Sequence, residues 1–281
     1  MALPITFSAS PAPIAGGGFD DADYEAFIKK VQAKTGIKLA DYKPEQMRRR
    51  VSTMAARAGH HSFVAYFGAM ERDTELMAGF LDKMTINVSE LLRNPNRFDE
   101  LVNKVLPPLM AHRKNTALNF WSAGCSYGAE AYTLAMLLHE IAPNVPHRIK
   151  GTDIDTEILA RARDPRFNAP DMLNISPERR AAHFPTAASG AWTAAAHLRS
   201  KCQFAKHDLL AGPYPKAEYD VILCRNVVIY FTDPAKERIY RGFYESLKPG
   251  GVLFVGGTER LSDHRAIGFE LQFPFFYRKP L

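Results

Sequence analysis

From Ala117 onward, short apolar runs alternate with amphipathic runs of helix length. The short runs cover residues 118–121, 147–152, 220–224 and 252–255, and the longer runs cover 129–140, 156–163 and 234–247. This alternation of strand and helix patterns predicts an α/β domain with a mostly parallel sheet covered by helices on both faces. The aromatic-rich segment 269–278 alternates in polarity, which predicts a closing antiparallel hairpin at the sheet edge.

The remaining residues divide into regions of different character. Residues 1–19 are rich in Pro, Ala and Gly and predict a flexible tail. Residues 20–85 carry apolar side chains at helical spacing and predict a domain of three or four short helices. Residues 86–116 are interpreted as a linker and one further helix. The α/β domain then spans 117–281, and residues 171–207 interrupt it as an insertion, either functional or simply packed over the core.

Proline positions mark the helix in the linker region. Asn94 followed by Pro95 is typical of a helix start, and the apolar spacing predicts a helix over about residues 97–112. Pro107 and Pro108 fall inside it, so we expect them to bend or break the helix.

Composition excludes several classes of protein. No apolar run of about 18 residues is present, so no transmembrane helix is expected. The N terminus lacks the basic and apolar regions of a secretory signal, which predicts a cytoplasmic protein. The three cysteines, Cys125, Cys202 and Cys224, are odd in number and lack close metal-ligand spacing. We therefore expect reduced thiols and no metal site.

The net charge of +6 is concentrated in one segment, residues 43–57. Against the single acid Glu45, this segment carries Lys43, Arg48, Arg49, Arg50 and Arg57. Such a surface can attract nucleic acid, an anionic membrane or an acidic protein, or it can be an ordinary solvated helix face. The absence of interleaved aromatic residues argues against nucleic-acid binding.

The turn after the first predicted strand, residues 121–130, reads WSAGCSYGAE. Its two glycines let the backbone approach a ligand at the carboxyl end of the sheet, where open α/β folds bind ligands. The turn lacks the third glycine of dinucleotide-binding turns, and Glu130 would repel a pyrophosphate. A carboxylate at this position instead suits a ligand that carries an ammonium group.

Polar side chains also follow the other predicted strands. Asp153 is placed to accept hydrogen bonds from ribose hydroxyls, and Asp155 is expected to cap the next helix. Asp208 can accept an adenine amino group or cap a loop, while Arg225 and Asn226 follow a buried strand, where Asn226 can also be a strand-end cap. Together these junctions favour a nucleoside joined to an amino acid, a description that fits S-adenosylmethionine.

Several segments resemble one protein family. In chain order they are YKPEQMRRRVSTMAARAGHHSFVAYFGAM, TINVSELLRNPNRF, WSAGCSYGAEAYTLAMLL, TDIDTEIL, HDLL, YDVILCRNVVIYF and LKPGGVLFVGGTERL. These segments resemble the CheR-type chemotaxis receptor methyltransferases over about residues 22–280. The resemblance implies a Rossmann-like S-adenosylmethionine-dependent methyltransferase domain, an N-terminal all-helical domain and a small β insertion.

The resemblance implies an activity and a set of site residues. The activity is transfer of a methyl group from S-adenosylmethionine to glutamate side chains of chemotaxis receptors, which gives methyl esters and S-adenosylhomocysteine. Family cofactor contacts fall on Asn87, Ser89, Arg93, Glu130, Asp153, Asp208, Leu209, Arg225 and Asn226. Family active-site roles fall on Arg93 and Tyr230. The family surface that docks on acidic receptor helices corresponds to Arg48, Arg49, Arg50 and Arg57. We expect a monomer that is not inserted in the membrane.

The chain departs from the family pattern near the expected site. Leu91 and Leu92 replace paired aromatic residues, and Ser89 replaces a threonine. At residues 127–133 this chain has YGAEAYT where the family turn is TGEEPYS, and Glu130 is retained. We interpret these differences as changes in pocket shape. The insertion lacks the glycine-bracketed loop of peptide-binding members, which argues against tethering to a receptor peptide.

Two other functions remain open from the sequence. One is a methyltransferase with a different acceptor, such as another protein or a small carboxylic acid. The other is a regulator that binds S-adenosylmethionine without catalysis. A nucleic-acid binder ranks last.

Overall fold

The computed structural model describes residues 19–84, 89–187 and 190–281, apart from the side chain of Asp82. These residues form two compact units. The first contains the described residues up to Ala40 together with Pro44–Met77, and the second contains Asp41–Lys43 and Ala78–Leu281. Residues 1–18, most of the predicted tail, lie outside the described part of the chain.

The first unit is helical, as predicted. Its helices are α1 (Asp21–Thr35), α2 (Pro44–Arg57), α3 (Phe63–Met70) and the first residues of α4 (Thr74–Met84). Asp20 caps α1, because its side chain accepts a hydrogen bond from the Asp23 amide at 2.7 Å. The apolar positions that predicted these helices form the core of the unit, where the Phe27 and Phe63 rings lie 5.8 Å apart.

The second unit contains the sheet and the remaining helices. Its helices after α4 are α5 (Pro95–Glu100), α6 (Leu106–His112), α7 (Ala129–Ile141), α8 (Thr156–Arg163), α9 (Pro177–His183), α10 (Ala196–Arg199), α11 (Asp233–Ser246) and α12 (His264–Ile267). Its strands are β1 (Asn119–Ala123), β2 (Arg148–Asp153), β3 (Arg166–Phe167), β4 (Trp192–Thr193), β5 (Cys202–Lys206), β6 (Tyr219–Cys224), β7 (Leu247–Val255), β8 (Glu270–Phe273) and β9 (Phe276–Arg278).

Seven strands form one sheet in the order β5-β2-β1-β6-β7-β9-β8. Strands β5, β2, β1, β6 and β7 are parallel, and β9 runs antiparallel to both β7 and β8. The mostly parallel sheet and the closing hairpin are therefore confirmed. The strand order reverses between β1 and β6, because the chain adds β2 and β5 on one side of β1 before it adds β6 on the other. In open α/β sheets such a switch point leaves a crevice at the carboxyl ends of the strands.

Alternate residues of the central strands enter two hydrophobic clusters. The first cluster contains Phe120, Val221, Leu223, Val252 and Phe254. The second contains Trp121, Ile222, Cys224, Leu253 and Val255. Because successive side chains of a strand point to opposite faces, the two clusters lie on the two sides of the sheet. Helix α7 contributes to the first cluster and α11 to the second, so both faces are buried.

The predicted insertion has different bounds in the structure. Residues 171–207 were expected to lie outside the sheet, but Cys202–Lys206 forms its edge strand, paired with β2. This expectation was wrong because the edge strand is only half-buried and shows no clear apolar alternation. The chain leaves the main sheet after α8, and β3 and β4 pair there as a separate two-stranded sheet.

The helix predicted for 97–112 is continuous but irregular. A π-helical segment, Leu101–Val105, separates α5 from α6. In it the amide of Leu106 donates to the carbonyl of Leu101, five residues earlier. The irregularity therefore precedes Pro107 and Pro108, which occupy the first turn of α6, where a missing amide proton costs little.

The described residues contain neither a membrane-spanning helix nor a cluster of metal-binding side chains. No helix in ranges 19–84, 89–187 and 190–281 has both the length and the apolar character needed to cross a membrane. Over the same ranges, no group of three or more His, Cys, Asp or Glu residues is arranged to hold a metal ion.

Candidate active site

A small pocket of about 50 Å³, open to solvent, lies at the carboxyl ends of β1 and β6. It is lined by Ser89, Glu90, Arg93, Phe98, Gly124, Cys125, Ser126, Glu130, Arg225, Asn226 and Val227. The lining includes five of the residues that the sequence assigned to the site. The pocket lies at the switch point of the sheet, where the strand order predicts a ligand.

The turn after β1 brings backbone close to the pocket. Gly124 has φ 76°, and a Cβ atom on it would lie 2.5 Å from the Val227 Cγ2 atom, so no side chain fits there. Ser126 follows with φ 51°, and its amide donates to Asp153 Oδ2 at 2.9 Å. The carboxylate of Asp153 thus supports a left-handed turn that a non-glycine residue rarely adopts.

Glu130 lies in the first turn of α7, and its side chain is only 13% exposed. Its Oε1 atom accepts a hydrogen bond from the Ser122 hydroxyl at 2.7 Å, and its Oε2 atom lies 3.4 Å from Nη1 of Arg225. Burial raises the pKa of Glu130 above its ordinary value, and Arg225 and Ser122 oppose this shift. The result is a largely buried carboxylate at the pocket, suited to binding a cation.

Arg225 is buried and contacts backbone and side-chain groups around the pocket. Its Nη2 atom donates to the Arg93 carbonyl at 2.7 Å and to Asn94 Oδ1 at 3.1 Å. The guanidinium lies 4.9 Å and 4.8 Å from the ring centroids of Phe98 and Phe254. Arg225 therefore holds the segment that carries Arg93. Asn94, expected to start α5, is its N-cap residue but makes no capping hydrogen bond through its side chain.

The other predicted acidic residues occupy neighbouring strand ends. Asp153 accepts amide hydrogen bonds on both oxygens, and burial raises its pKa despite them. Asp155 caps α8, as predicted, by accepting from the amides of Glu157 and Ile158. Asp208 accepts from the Leu210 amide at 2.8 Å, so it does cap its own loop. None of these three is among the described residues that line the pocket.

The remaining predicted residues are placed as follows. Ser89 and Arg93 line the pocket, whereas Asn87 lies outside the described residues. Leu209 is buried in the second hydrophobic cluster. Tyr230 ends a short 3₁₀ turn after β6, and its carbonyl accepts from the Lys43 amide at 2.9 Å. Tyr230 is not among the described lining residues of the pocket.

Tyr42, which no sequence motif singles out, lies beside the turn that follows β6. Residues Asp41 and Lys43 bond to the backbone around Phe231, and the Tyr42 ring lies edge-on to Phe231 at 4.8 Å. Burial raises the pKa of Tyr42, and the charges of Asp208 and Asp153 raise it further, which places its hydroxyl in the electrostatic field of both. No local signal reveals this position, since the contacts join residues far apart in the chain.

The basic residues of α2 differ in their surroundings. Arg48 forms an ion pair with Asp21 and contacts the Phe19 carbonyl. Arg49 and Arg57 are exposed. At about 100° per residue, Arg49, Arg50 and Arg57 share a sector of roughly 100°, while Arg48 projects from a different side. The predicted docking set thus separates into three residues on one face and one residue bound within its own unit.

The pocket residues fit S-adenosylmethionine on two observations. Glu130 supplies a largely buried carboxylate for an ammonium group. Asn226, which lines the pocket, has φ 61° and a buried Oδ1 atom without a partner among the described protein atoms. A buried amide oxygen of this kind normally has a hydrogen-bond donor, which a bound ligand can provide.

Comparison with known proteins gives consistent matches. Residues 87–272 match the family described as "CheR methyltransferase, SAM binding domain", and residues 22–85 match "CheR methyltransferase, all-alpha domain". A solved S-adenosylmethionine dependent methyltransferase from Mesorhizobium loti has a TM-score of 0.31 and 21% identity, covering 53% of this chain and 51% of that one.

Two relatives match over most of their length. A "Chemotaxis protein methyltransferase" of Listeria monocytogenes is 36% identical over 259 residues, which cover 92% of this chain and 98% of the relative. A protein of the same name from Escherichia coli is 30% identical over 250 residues, covering 86% of this chain and 85% of the relative. From the two family matches and these relatives, the chain belongs to the CheR family of S-adenosylmethionine-dependent methyltransferases.

Proposed function

We propose that the chain methylates glutamate side chains on the acidic cytoplasmic helices of chemotaxis receptors. The observation that carries this proposal is Arg93 in the lining of the pocket, because a guanidinium pairs well with a carboxylate acceptor. A hydroxyl or amine acceptor is helped by a general base with a pKa near neutrality. A glutamate, with a pKa of about 4.3, is already ionised at neutral pH and needs none. The relatives named chemotaxis protein methyltransferase support a role in chemotaxis.

The chemistry then depends mainly on orientation. S-adenosylmethionine supplies a methyl group on a positively charged sulfur, which is an activated leaving group. The protein has to align the acceptor oxygen with that group and exclude water. Orientation can contribute up to ~7–11 kcal/mol of barrier lowering, so it can be the main catalytic effect.

Each site residue is assigned a part in this alignment. The planar guanidinium of Arg93 orients the acceptor carboxylate through paired hydrogen bonds. We assign to the Tyr230 hydroxyl the role of holding the reacting groups close to the transferred methyl group. Glu130 binds the ammonium group of the methionine part, and Asp153 binds the ribose hydroxyls. The other predicted cofactor contacts, some through their backbone, are Asn87, Ser89, Asp208, Leu209, Arg225 and Asn226.

Receptor docking is assigned to helix α2. Arg49, Arg50 and Arg57 present positive charge on one side of the helix, which accelerates encounter with acidic receptor helices and makes the rate depend on salt. Arg48 contributes less to docking because Asp21 already neutralises it. We propose that the protein works in the cytoplasm, since the receptor helices that it modifies lie there, and that it works as a monomer.

A transfer assay tests this function. The protein is incubated with methyl-labelled S-adenosylmethionine and a purified receptor cytoplasmic fragment, and methanol released by alkali is counted, with Arg93→Ala in parallel. We expect label that alkali releases and that Arg93→Ala nearly abolishes. No label, with S-adenosylhomocysteine still bound, would instead indicate a different acceptor or a non-catalytic regulator.

A further inference from the structure

The segment Ser89–Asn94, which carries Arg93 into the pocket, has a strained backbone. Leu92 has φ 52° and Asn94 has φ 60°, so the residues on both sides of Arg93 adopt a left-handed conformation. Asparagine tolerates this conformation, but for a leucine it is unfavourable and persists only where surrounding contacts enforce it. The contacts that enforce it therefore determine where Arg93 points.

Several of these contacts come from the insertion and from the turn before α7. The Leu91 amide donates to the Asp171 carbonyl at 3.3 Å, and Asn174 Nδ2 donates to the Leu92 carbonyl at 3.4 Å. The Leu92 amide donates to Thr133 Oγ1 of α7 at 2.9 Å. The segment is thus held on both sides of Leu92, which is the first strained residue.

Tyr127 connects the two supports. Its hydroxyl contacts the Ser89 carbonyl and donates to Asp171 Oδ1 at 2.7 Å. The other carboxylate oxygen of Asp171 accepts from the Asn168 amide at 2.7 Å, so Asp171 is itself fixed by the short helical turn that begins the insertion. The Tyr127 ring is buried, and the Arg161 guanidinium lies 5.2 Å from its centroid. Tyr127 also stands where the family turn TGEEPYS has its threonine.

We propose that Tyr127, bonded to Asp171 of the insertion, is a positioning residue that holds the Ser89–Asn94 segment in its strained conformation and so fixes Arg93 and Ser89 at the pocket. Neither Tyr127 nor Asp171 lines the pocket, and their effect passes through the backbone that they hold. The insertion accordingly serves the active site as a support, independently of any partner that it binds. The part of this proposal that concerns acceptor orientation rests on the proposed function.

Tyr127→Phe tests this role, because it removes one hydroxyl and keeps the ring. Tyr132→Phe is the matched control: Tyr132 is buried in the same hydrophobic cluster, and its hydroxyl donates to the Ala162 carbonyl at 2.9 Å, away from the Ser89–Asn94 segment. We expect Tyr127→Phe to raise the dissociation constant of S-adenosylhomocysteine several-fold, because ligand binding must then also order the Ser89–Asn94 segment. The lost hydrogen bond to a charged group sets the upper limit of this rise at about tenfold. Tyr132→Phe should lower the melting temperature about as much as Tyr127→Phe does, but it should leave the dissociation constant of S-adenosylhomocysteine unchanged.

Asp171→Ala provides a second measurement. In a double-mutant cycle with Tyr127→Phe, the two changes should raise the dissociation constant by less than the product of their separate effects, because they break the same contact. Unchanged S-adenosylhomocysteine affinity in Tyr127→Phe, or an equal loss in Tyr132→Phe, would overturn the proposal. Because this binding assay contains no receptor, it tests the role of Tyr127 even if the receptor fragment receives no methyl group. Where methyl transfer occurs, its kcat should fall in Tyr127→Phe and stay unchanged in Tyr132→Phe.

Discussion

Replacing Glu130 by glutamine isolates the charge that we assign to ammonium binding. In the structure, Glu130 accepts from Ser122 at 2.7 Å and faces Arg225 at 3.4 Å. A glutamine has the same shape, and its amide nitrogen can turn toward Ser122, whose hydroxyl can also accept a hydrogen bond. Its oxygen then stays toward Arg225. Glu130→Gln therefore removes the negative charge with little change in packing.

The expected loss of affinity follows from the bond that disappears. A hydrogen bond to a charged group contributes about 1.5–3 kcal/mol, which corresponds to a roughly 10- to 150-fold rise in the dissociation constant. Stability should fall as well, because the Arg225 side chain is only 2% exposed and loses its carboxylate partner. This loss should be smaller than the about 3–5 kcal/mol typical of breaking a buried pair, since Arg225 keeps its 2.7 Å bond to the Arg93 carbonyl.

Calorimetry with two ligands separates the two effects. S-adenosylhomocysteine carries the ammonium group, whereas 5′-methylthioadenosine lacks the amino-acid part and serves as the matched control ligand. Glu130→Gln should weaken binding of the first and leave binding of the second unchanged. Because burial raises the pKa of Glu130 above 4.5, wild-type affinity for S-adenosylhomocysteine should also fall as the pH drops through that raised value. Equal weakening of both ligands, or of neither, would refute the assignment.

Three further changes probe stability and docking. Asp220 is fully buried and pairs with Arg113 and Lys248. Its replacement by alanine should lower the free energy of unfolding, measured by urea denaturation, by about 3–5 kcal/mol. The affinity for S-adenosylhomocysteine should not change. Burial lowers the pKa of His147 from 6.5 to about 4, so between these pH values the unfolded chain binds more protons than the folded protein. The free energy of unfolding should therefore fall by up to about 3 kcal/mol as the pH drops from 6.5 to 4. His147→Asn should reduce this pH dependence. Reversing Arg49 and Arg50 to glutamate should raise the receptor KM and reduce its salt dependence while S-adenosylhomocysteine binding stays constant, and a parallel loss of that binding would mean that α2 is mainly structural.

The sequence was most informative where a local pattern determines the structure. Short apolar runs between helix-length runs predicted the central strands, and the predicted cap at Asp155 is confirmed by its amide contacts. The family resemblance is confirmed, and it assigned Glu130 and Arg93, both of which line the pocket. These features depend on residues close in the chain or on a motif.

The sequence was least informative where distant residues meet. The strand β5 was wrongly placed in the insertion because it lies at the edge of the sheet and is only half-buried. Its sequence therefore lacks the apolar run that marks the central strands. The contacts of Arg225 with Phe98 and Phe254 join residues from different elements, and so does the bond between Tyr127 and Asp171. Such contacts arise only when the folded elements pack, and no local spacing encodes them.

The central claim is that this pocket directs a methyl group to a glutamate carboxylate. Peptide mass spectrometry of a receptor cytoplasmic fragment, after incubation with the protein and S-adenosylmethionine, tests it most directly. We predict methyl esters on glutamate residues of the receptor helices, absent with Arg93→Ala and removed by alkali. Methylation confined to lysine, histidine or hydroxyl side chains, or stable to alkali, would contradict the claim.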